Sequence, residues 1–546
     1  MAGDMARERV MHAVLERQVE KYGNRTFLYF NDQEFGFKDL DDAASRVASG
    51  LQRLGIAKGD KVAIVMDNCE EFVFLMYGLS KLGAIQVPIN TAHKGDILTY
   101  MLDHSDSRIV VAHHHYLDRI RPVLENTPKI QTLVVLEKSE GDPPGASDLE
   151  VRSKQEVEKQ GWRTIYWDEL VDNDGRYEPV EVLFSDPVAI MYTSGTTGLS
   201  KGVLTPHNQP LSVSERICAG VLSDQDCIYS VLPLFHNGGQ STGISSALLS
   251  GARVVVGERF SASGFWDDVK RYHCTVLSYI GSMLPMLFKA EPRPDDADNP
   301  LRVGLGGGAP RDIFQAFEKR FGITLLEFYG QSEIGVPLVS DLANRKPGAC
   351  GKVHSDYVAK VVDDKGFEVG SDTPGELLIR PVKPYIIGLE YYKAPEKTVE
   401  VWRDLWYRTG EYLTFDKDRF FYFLDRKKDA LRRRGENISS FEVEKVINSH
   451  SAVLESAAIG VKSGMGVGED EVMVCLTLKP GQKLEPLDLI KHCEERMAYF
   501  MVPRYLRLME TMPKTASMRI EKYKLRQEGI TPDTWDREAT GYKLQR

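Results

Sequence analysis

Apolar residues run along this chain in two rhythms. Between residues 9 and 57 they fall at helical spacing around a short polar hairpin near Asn31 to Glu34, and Asp39 to Leu54 places them at i, i+3 and i+4, the mark of a helix with one buried stripe. The rhythm then changes. Lys61 to Met66 reads as a strand, Glu70 to Leu82 as a helix stopped by Gly83, and Ala84 to Ile89 as the next strand, which is a βαβ pattern. Such continuous apolar runs imply strands buried on both faces of a mainly parallel sheet. Ile109 to Ala112 and Thr132 to Leu136 extend it, and Pro187 to Met191 is a further strand. Glu137 to Gln160 is polar, carries Pro143-Pro144-Gly145 and is expected to be a solvent-exposed excursion. Val254 to Gly257, Thr275 to Ile280 and Val303 to Leu305 read as more buried strands. From residue 429 the pattern is that of a compact α+β domain, with strands at Val453 to Val461 and Val472 to Leu478 and a helix at Glu485 to Met497. The tail from Gly529, with Trp535 and Tyr542, takes no element.

Length and composition narrow the class. At 546 residues the chain exceeds what one hydrophobic core supports, so two or more domains are expected. With 42% hydrophobic and 27% charged residues it has the composition of a globular enzyme, and a net charge of -10 argues against a general nucleic-acid binder. The seven cysteines, at 69, 218, 227, 274, 350, 475 and 493, form no C-x-x-C pair, which fits a reduced cytoplasmic compartment and no structural zinc. Met1 to Val10 lacks the apolar core of a signal peptide. The longest apolar stretch, Phe72 to Ile89, is interrupted by Lys81, Gly83 and Pro88, so no transmembrane segment is expected.

Chemistry concentrates first in Tyr192-Thr193-Ser194-Gly195-Thr196-Thr197-Gly198-Leu199-Ser200-Lys201-Gly202, where three glycines, five Ser/Thr hydroxyls and a lysine follow a strand. Glycines let successive backbone N–H groups converge on one anion, hydroxyls donate further, and lysine adds a mobile charge, so the stretch suits phosphate. The spacing is not that of the common P-loop, and a plain surface loop is the alternative. His236, in Leu232-Pro233-Leu234-Phe235-His236-Asn237-Gly238-Gly239, is either a structural hydrogen-bonder or a catalytic group. Gly306-Gly307-Gly308-Ala309-Pro310 ends a strand, either as a tight turn or to let a flat ligand near the backbone. Glu327-Phe328-Tyr329-Gly330-Gln331-Ser332-Glu333 offers a ring, a glycine and carboxylates within seven residues.

These motifs, in this order, resemble the adenylate-forming enzymes, the family of acyl-CoA synthetases, firefly-type luciferases and peptide-synthetase adenylation domains. The resemblance covers roughly residues 40 to 525. It implies an α/β fold, with a large N-terminal domain of several sheets packed by helices (1–424), a hinge (425–428) and a small mobile α+β C-terminal lid (429–546). It implies ATP, Mg2+ and coenzyme A as cofactors and a small-molecule carboxylic acid as partner. Thr193, Ser194, Gly195, Thr196, Thr197, Gly198 and Lys201 would hold phosphates; Gly307, Gly308, Ala309 and Pro310, with Glu327, Tyr329, Gly330, Gln331 and Ser332, would receive adenine; Thr193 and Glu333 would hold magnesium. Phe260-Ser261-Ala262-Ser263, Phe265-Trp266-Asp267-Asp268 and Tyr279-Ile280-Gly281 are similar to the fatty-acid-transport-type and carnitine-CoA-ligase-type branches. The former carry a membrane anchor near their N-terminus that is absent here, so a soluble relative is expected.

In Trp406-Tyr407-Arg408-Thr409-Gly410-Glu411 the resemblance makes Glu411, in place of the family's aspartate, the acceptor of the ribose hydroxyls. Arg426 would contact ATP, Lys428 would be the hinge, and Gly435, Glu436 and Asn437 would line the coenzyme A tunnel. At Pro513 to Ile520 the family's Gly-Lys is replaced by Met518-Arg519, and Arg is not a conservative stand-in at a close contact. Arg519, or else Lys514 or Lys522, would align the carboxylate with the α-phosphate. The stretches expected around the acid are largely small and apolar, which favours a medium or long acyl chain, or an apolar acid such as a sterol side chain, over crotonobetaine or carnitine. Delivery of the acyl group to a carrier protein, and a non-catalytic binder, are the rival readings. The resemblance leaves the oligomeric state open, a homodimer included.

Overall fold

A computed structural model describes residues 6–137, 162–193, 199–426, 430–433, 436–462, 470–513 and 520–544. The expected polar excursion at 137–160 lies almost wholly outside them. The chain divides into two compact units: residues 1–91, 102–192 and 202–424, and residues 92–101, 193–201 and 425–546.

The first unit is built on three sheets. One holds Lys61–Val65, Ile85–Pro88, Ser107–His113, Thr132–Leu136, Arg163–Tyr166 and Pro187–Thr193 in parallel pairing, with the βαβ unit at its centre. The crossover helix Glu70–Lys81 ends at Leu82, and Gly83 at φ 61 turns the chain into the next strand. A second sheet runs parallel through Thr26–Phe30, Arg253–Val256, Cys227–Ser230, Val276–Ile280, Val303–Gly307 and Thr324–Gln331. The polar hairpin at 31–34 joins Thr26–Phe30 to Gln33–Gly36, and Asn31 takes the left-handed conformation this turn needs. Phe37–Arg53 follows, its start held by the Asp39 carboxylate accepting the Gly36 N–H at 2.8 Å.

The third sheet is antiparallel and was not assigned from the sequence. It contains Tyr357–Val362, Gly375–Pro381, Trp402–Arg403, Trp406–Phe415 and Phe421–Arg426. Trp406–Phe415 alternates half-buried and buried positions without fault, but its buried set includes Thr409 and Glu411, so a hydrophobicity pattern does not reveal it. Its core joins Tyr329, Ile334, Leu338, Tyr357, Leu377 and Phe421.

In the second unit Val453–Lys462, Asp470–Leu478, Tyr505–Leu508 and Trp535–Asp536 form a four-stranded sheet, with a hairpin of Ala430–Arg433 and Glu436–Ser439 and helices Ser440–Asn448, Pro486–Arg496 and Lys522–Glu528. The tail is thus part of the fold: Trp535–Asp536 is an edge strand, fixed by the Asp536 carboxylate on Arg504 at 3.0 Å. A buried ion pair, Arg433 to Glu471 at 2.8 Å, ties the hairpin to the sheet. Among the described residues no helix is long and apolar enough to cross a membrane.

Candidate active site

The glycine run is explained by what stands against it. Gly306 and Gly307 end the strand Val303–Gly307, where a Cβ on Gly306 would lie 2.2 Å from the Tyr279 carbonyl oxygen and one on Gly307 2.7 Å from that of Phe328. Gly308 then turns the chain at φ +81. Both demands, a turn and a close approach, are therefore present, the approach being that of neighbouring backbone. Past the turn the Ala309 N–H donates to the Glu327 carboxylate at 2.5 Å, and Pro310 precedes the helix Arg311–Phe321. Glu327 is buried, and burial pushes its carboxyl up to about 7 against the Ala309 and Gly308 amides, which favour the charged form.

Glu327 and Tyr329 lie on Thr324–Gln331, which pairs with Gly335–Val339 through a turn containing Glu333. Gly330 is required there, because a Cβ would sit 2.3 Å from the Gly335 carbonyl oxygen. The Tyr329 ring packs into the core of the third sheet, 8% exposed, and burial followed by the nearby Glu411 charge drives its phenol pKa well up. The Gln331 Nε2 donates to the Thr409 carbonyl at 3.1 Å, and the Glu411 N–H donates to the Thr409 hydroxyl at 3.2 Å. Two motifs read separately, at 327–333 and 406–411, are thus brought side by side. Arg408 is used structurally, paired with the buried Glu376 at 3.0 Å.

Glu333 is held by groups the sequence did not point to. The Tyr391 hydroxyl donates to its Oε1 at 2.9 Å, and the Gly388 N–H to its backbone carbonyl at 2.8 Å. Burial, and then the Glu333 charge, push the Tyr391 phenol up, so it stays a donor at neutral pH. A half-buried carboxylate fixed in this way is a hard oxygen donor of the kind magnesium takes, usually one or two per site beside phosphate oxygens. Nothing in the spacing of Tyr391 signalled this contact; the register of Glu390–Tyr391 on Lys201–Pro206 makes it.

His236 is half-buried at the start of a loop whose backbone is well anchored. The side chain of Asn68 accepts the Leu234 N–H at 2.8 Å and donates to the Leu232 carbonyl at 3.1 Å. A buried π-helical turn, Gly239–Ser245, follows, in which Gln240 and Gln86 exchange amide hydrogen bonds at 3.0 and 3.2 Å. Thr242 and Ser278 hydroxyls meet at 2.7 Å. The wall expected to be small and apolar therefore carries buried amides and hydroxyls: those of Gln240, Ser241, Thr242 and Ser278 are paired, while the buried Ser245 hydroxyl meets no partner among the described residues.

Thr193 ends the strand Pro187–Thr193 and Lys201 opens Lys201–Pro206. Within the second unit, Glu442 accepts both the Ser200 N–H at 2.8 Å and its hydroxyl at 2.5 Å, while the Tyr100 hydroxyl donates to the Ser200 carbonyl at 3.0 Å. Glu436 begins the strand Glu436–Ser439. Ser194, Gly195, Thr196, Thr197, Gly198, Lys428, Gly435 and Arg519 lie outside the described residues, as do the side chains of Arg426 and Asn437.

One further cluster has metal-ligand chemistry: Asp67, His113 and His115 lie close together at the ends of adjacent parallel strands. Hydrogen bonds already engage these groups. His113 Nδ1 accepts the Asp67 N–H at 3.0 Å, and the Asp67 carboxylate, though partly buried, is kept below the ordinary range by His115 at 2.9 Å and the Tyr116 hydroxyl at 2.7 Å.

A family model described as AMP-binding enzyme matches residues 15–385, and one for the AMP-binding enzyme C-terminal domain matches 442–519. The chain belongs to the AMP-binding enzyme family. This family member is 30% identical over 517 residues to a crotonobetaine/carnitine–CoA ligase of Salmonella paratyphi B, covering 92% of this chain and 96% of the relative. Among solved structures it resembles an o-succinylbenzoate CoA synthetase of Bacillus subtilis bound with a product analogue, at TM-score 0.77 and 25% identity, with 94% and 98% of the two chains covered. It also resembles an anthranilate CoA ligase in complex with anthranoyl-AMP, at TM-score 0.70 and 25% identity over 96% and 98%. The expectations of an adenylate-forming α/β fold and of an AMP-forming acid–thiol ligase using ATP, magnesium and coenzyme A agree with these comparisons.

Proposed function

We propose that this AMP-binding enzyme activates a carboxylic acid with an uncharged, mainly apolar body, preferably a medium or long acyl chain, and passes it to coenzyme A in the cytoplasm. The reading is carried by the juxtaposition of the 327–333 and 406–411 motifs through Gln331 and Thr409. Gly307, Gly308, Glu411 and Glu333 all fall within one compact unit, which supports this reading.

A carboxylate is a poor acyl donor because its leaving group would be oxide. One of its oxygens attacks the α-phosphorus of ATP, the bond to the β-phosphate oxygen breaks, and pyrophosphate leaves. The thiol sulfur of coenzyme A then attacks the acyl carbonyl, its proton is lost, and AMP departs. Neither step needs a covalent enzyme nucleophile, so positioning and electrostatics supply the rate. Glu411 accepts from the ribose hydroxyls, Gly307 to Pro310 and Tyr329 to Ser332 border adenine, and residues 193–198 with Lys201 hold the β- and γ-phosphates. Arg519 aligns the acid with the α-phosphate, Arg426 contacts ATP, Lys428 is the hinge, and Gly435 to Asn437 line the path of coenzyme A. Glu333, with Thr193, would hold magnesium, which when bound offsets phosphate charge.

The acid is chosen on charge. From His236 to Thr242, from Tyr279 to Met283 and from Gly304 to Gly308 there is no Asp, Glu, Lys or Arg, and from Gln331 to Pro337 the one charged residue is Glu333, which is assigned to magnesium. A quaternary ammonium such as that of carnitine is stabilised by a carboxylate or an aromatic cage, and an uncharged acyl chain needs neither. The side chains of Gln240, Ser241 and Thr242 are already hydrogen-bonded within the protein, so they add no demand for a polar substrate.

The test is AMP release from ATP and magnesium over a panel of fatty acids of graded length, aryl acids, crotonobetaine and carnitine, with and without coenzyme A. Release rising with coenzyme A for an apolar acid is expected. Turnover confined to crotonobetaine or carnitine would reverse the substrate reading, and acyl-AMP formation indifferent to coenzyme A would point to another acceptor.

A further inference from the structure

The turn that carries Glu333 is held from several sides. The Gln209 Nε2 donates to the Ser332 carbonyl at 2.7 Å, the Gly388 N–H to the Glu333 carbonyl at 2.8 Å, and the Tyr357 hydroxyl to the Ile334 carbonyl at 2.8 Å. Three consecutive carbonyls are each gripped by a different part of the chain. A backbone so fixed leaves Glu333 little freedom beyond its side-chain torsions, and a fourth contact acts on those: the Tyr391 hydroxyl on Oε1 at 2.9 Å.

Tyr391 is itself immobilised. Its N–H donates to Thr398 Oγ1 at 3.0 Å, and its hydroxyl lies 3.4 Å from that of Tyr407. It pairs with Val203, while the Leu389 and Tyr392 N–H groups donate to the Leu204 and Gly202 carbonyls at 2.8 Å each. Glu333, Tyr391 and Tyr407 line one cleft with Val203, Gly388 and Thr398. Tyr391 is 6% exposed, so water does not replace its hydroxyl easily as the donor to Oε1.

We infer that Tyr391 is a positioning residue that fixes the orientation of the Glu333 carboxylate, the group that would receive magnesium. This rests on the reading of Glu333 as the magnesium carboxylate. Carboxylates that bind metals are themselves oriented by outer hydrogen bonds, whose loss costs roughly 10- to 100-fold in metal affinity. Tyr391 is then set apart from Tyr407, whose hydroxyl lies 3.4 Å from that of Tyr391 and feels the Glu333 charge without a described hydrogen bond to it.

Manganese serves as the probe for magnesium, titrated by electron paramagnetic resonance into the full-length protein with a non-hydrolysable ATP analogue. Thermal unfolding is followed alongside. Tyr391→Phe is expected to weaken manganese about tenfold or more with an unfolding midpoint near that of the natural protein, while Tyr407→Phe keeps the affinity within about twofold. Glu333→Gln is the reference and loses the site. Natural affinity in Tyr391→Phe, with loss in Glu333→Gln, overturns the proposal and leaves the reading of Glu333 standing. Natural affinity in Glu333→Gln overturns both. If Tyr391→Phe does not fold, Thr398→Ala, which removes the oxygen that takes the Tyr391 amide, is titrated in its place, and natural affinity there also overturns the proposal.

Discussion

Glu327 and Glu333 stand at the two ends of one short motif, yet the fold treats them in opposite ways. Glu327 is 5% exposed, faces the Ala309 amide and sits under Tyr279, so burial drives its carboxyl toward the neutral form. Glu333 is half-buried at the edge of a cleft, and its carboxylate is met by a phenol donor. The first is part of the packing beneath the glycine turn; the second is presented to whatever enters the cleft. Residue type and spacing do not distinguish the two roles. Desolvation does, because it decides which carboxyl can carry a charge at neutral pH at low cost.

The contrast can be broken at its strongest point by Glu333→Gln, which keeps shape and removes charge. Acyl-AMP formation is expected to fall about 100- to 1,000-fold with little change in thermal stability, measured as pyrophosphate release. A variant as active as the natural protein would put the metal-binding carboxylate elsewhere.

Glu327 should show its difference as a dependence of stability on pH. Its folded value of about 7 lies above the ordinary 4.5. Below about 4.5 the carboxyl is protonated in both folded and unfolded chains. Between 4.5 and 7 the folded chain keeps a proton that the unfolded chain has released, so stability falls as pH rises through that window and levels off above it. The shift is worth about 3 kcal/mol as an upper figure. Glu327→Gln stays neutral throughout, so its unfolding midpoint should lose less between pH 5 and 8 than that of the natural protein. Parallel profiles for the two would refute a buried neutral Glu327.

The smallest effect expected is at the glycine turn above Glu327. In Gly307→Ala the new methyl meets the Phe328 carbonyl oxygen at 2.7 Å, so the two strands must part slightly. A loss of about 1–3 kcal/mol is expected, read as a lowered unfolding midpoint. A midpoint equal to that of the natural protein would show that the strands yield freely and that the glycine serves ligand approach alone.

Much of the architecture was legible because its parallel strands are apolar on both faces. Lys61–Val65, Ile85–Pro88 and Thr132–Leu136 appear where continuous apolar runs stand, and the helix between the first two ends at the glycine that must end it. The antiparallel sheet of 357–426 was not legible, because its strands put Glu376, Thr409 and Glu411 on buried positions and pair them with hydrogen bonds that no periodicity reveals. Trp535–Asp536 was missed for a related reason: two residues cannot show a period, and the Arg504–Asp536 pair that seats them spans 32 positions.

By itself the sequence determined the chemistry carried by contiguous residues: the Gly, Ser and Thr loop at 193–202, the glycine turn at 306–308, and the ring and carboxylates of 327–333. Local composition suffices there, because backbone freedom, hydroxyl donors and charge are properties of each residue in its own place. Only the tertiary structure decided that Gln331 would reach Thr409, that Glu327 would lie in the dark beneath Ala309, and that Tyr391 would close on Glu333 across 58 residues. Those outcomes depend on strand register and on the exclusion of water, and both exist only after distant segments have packed.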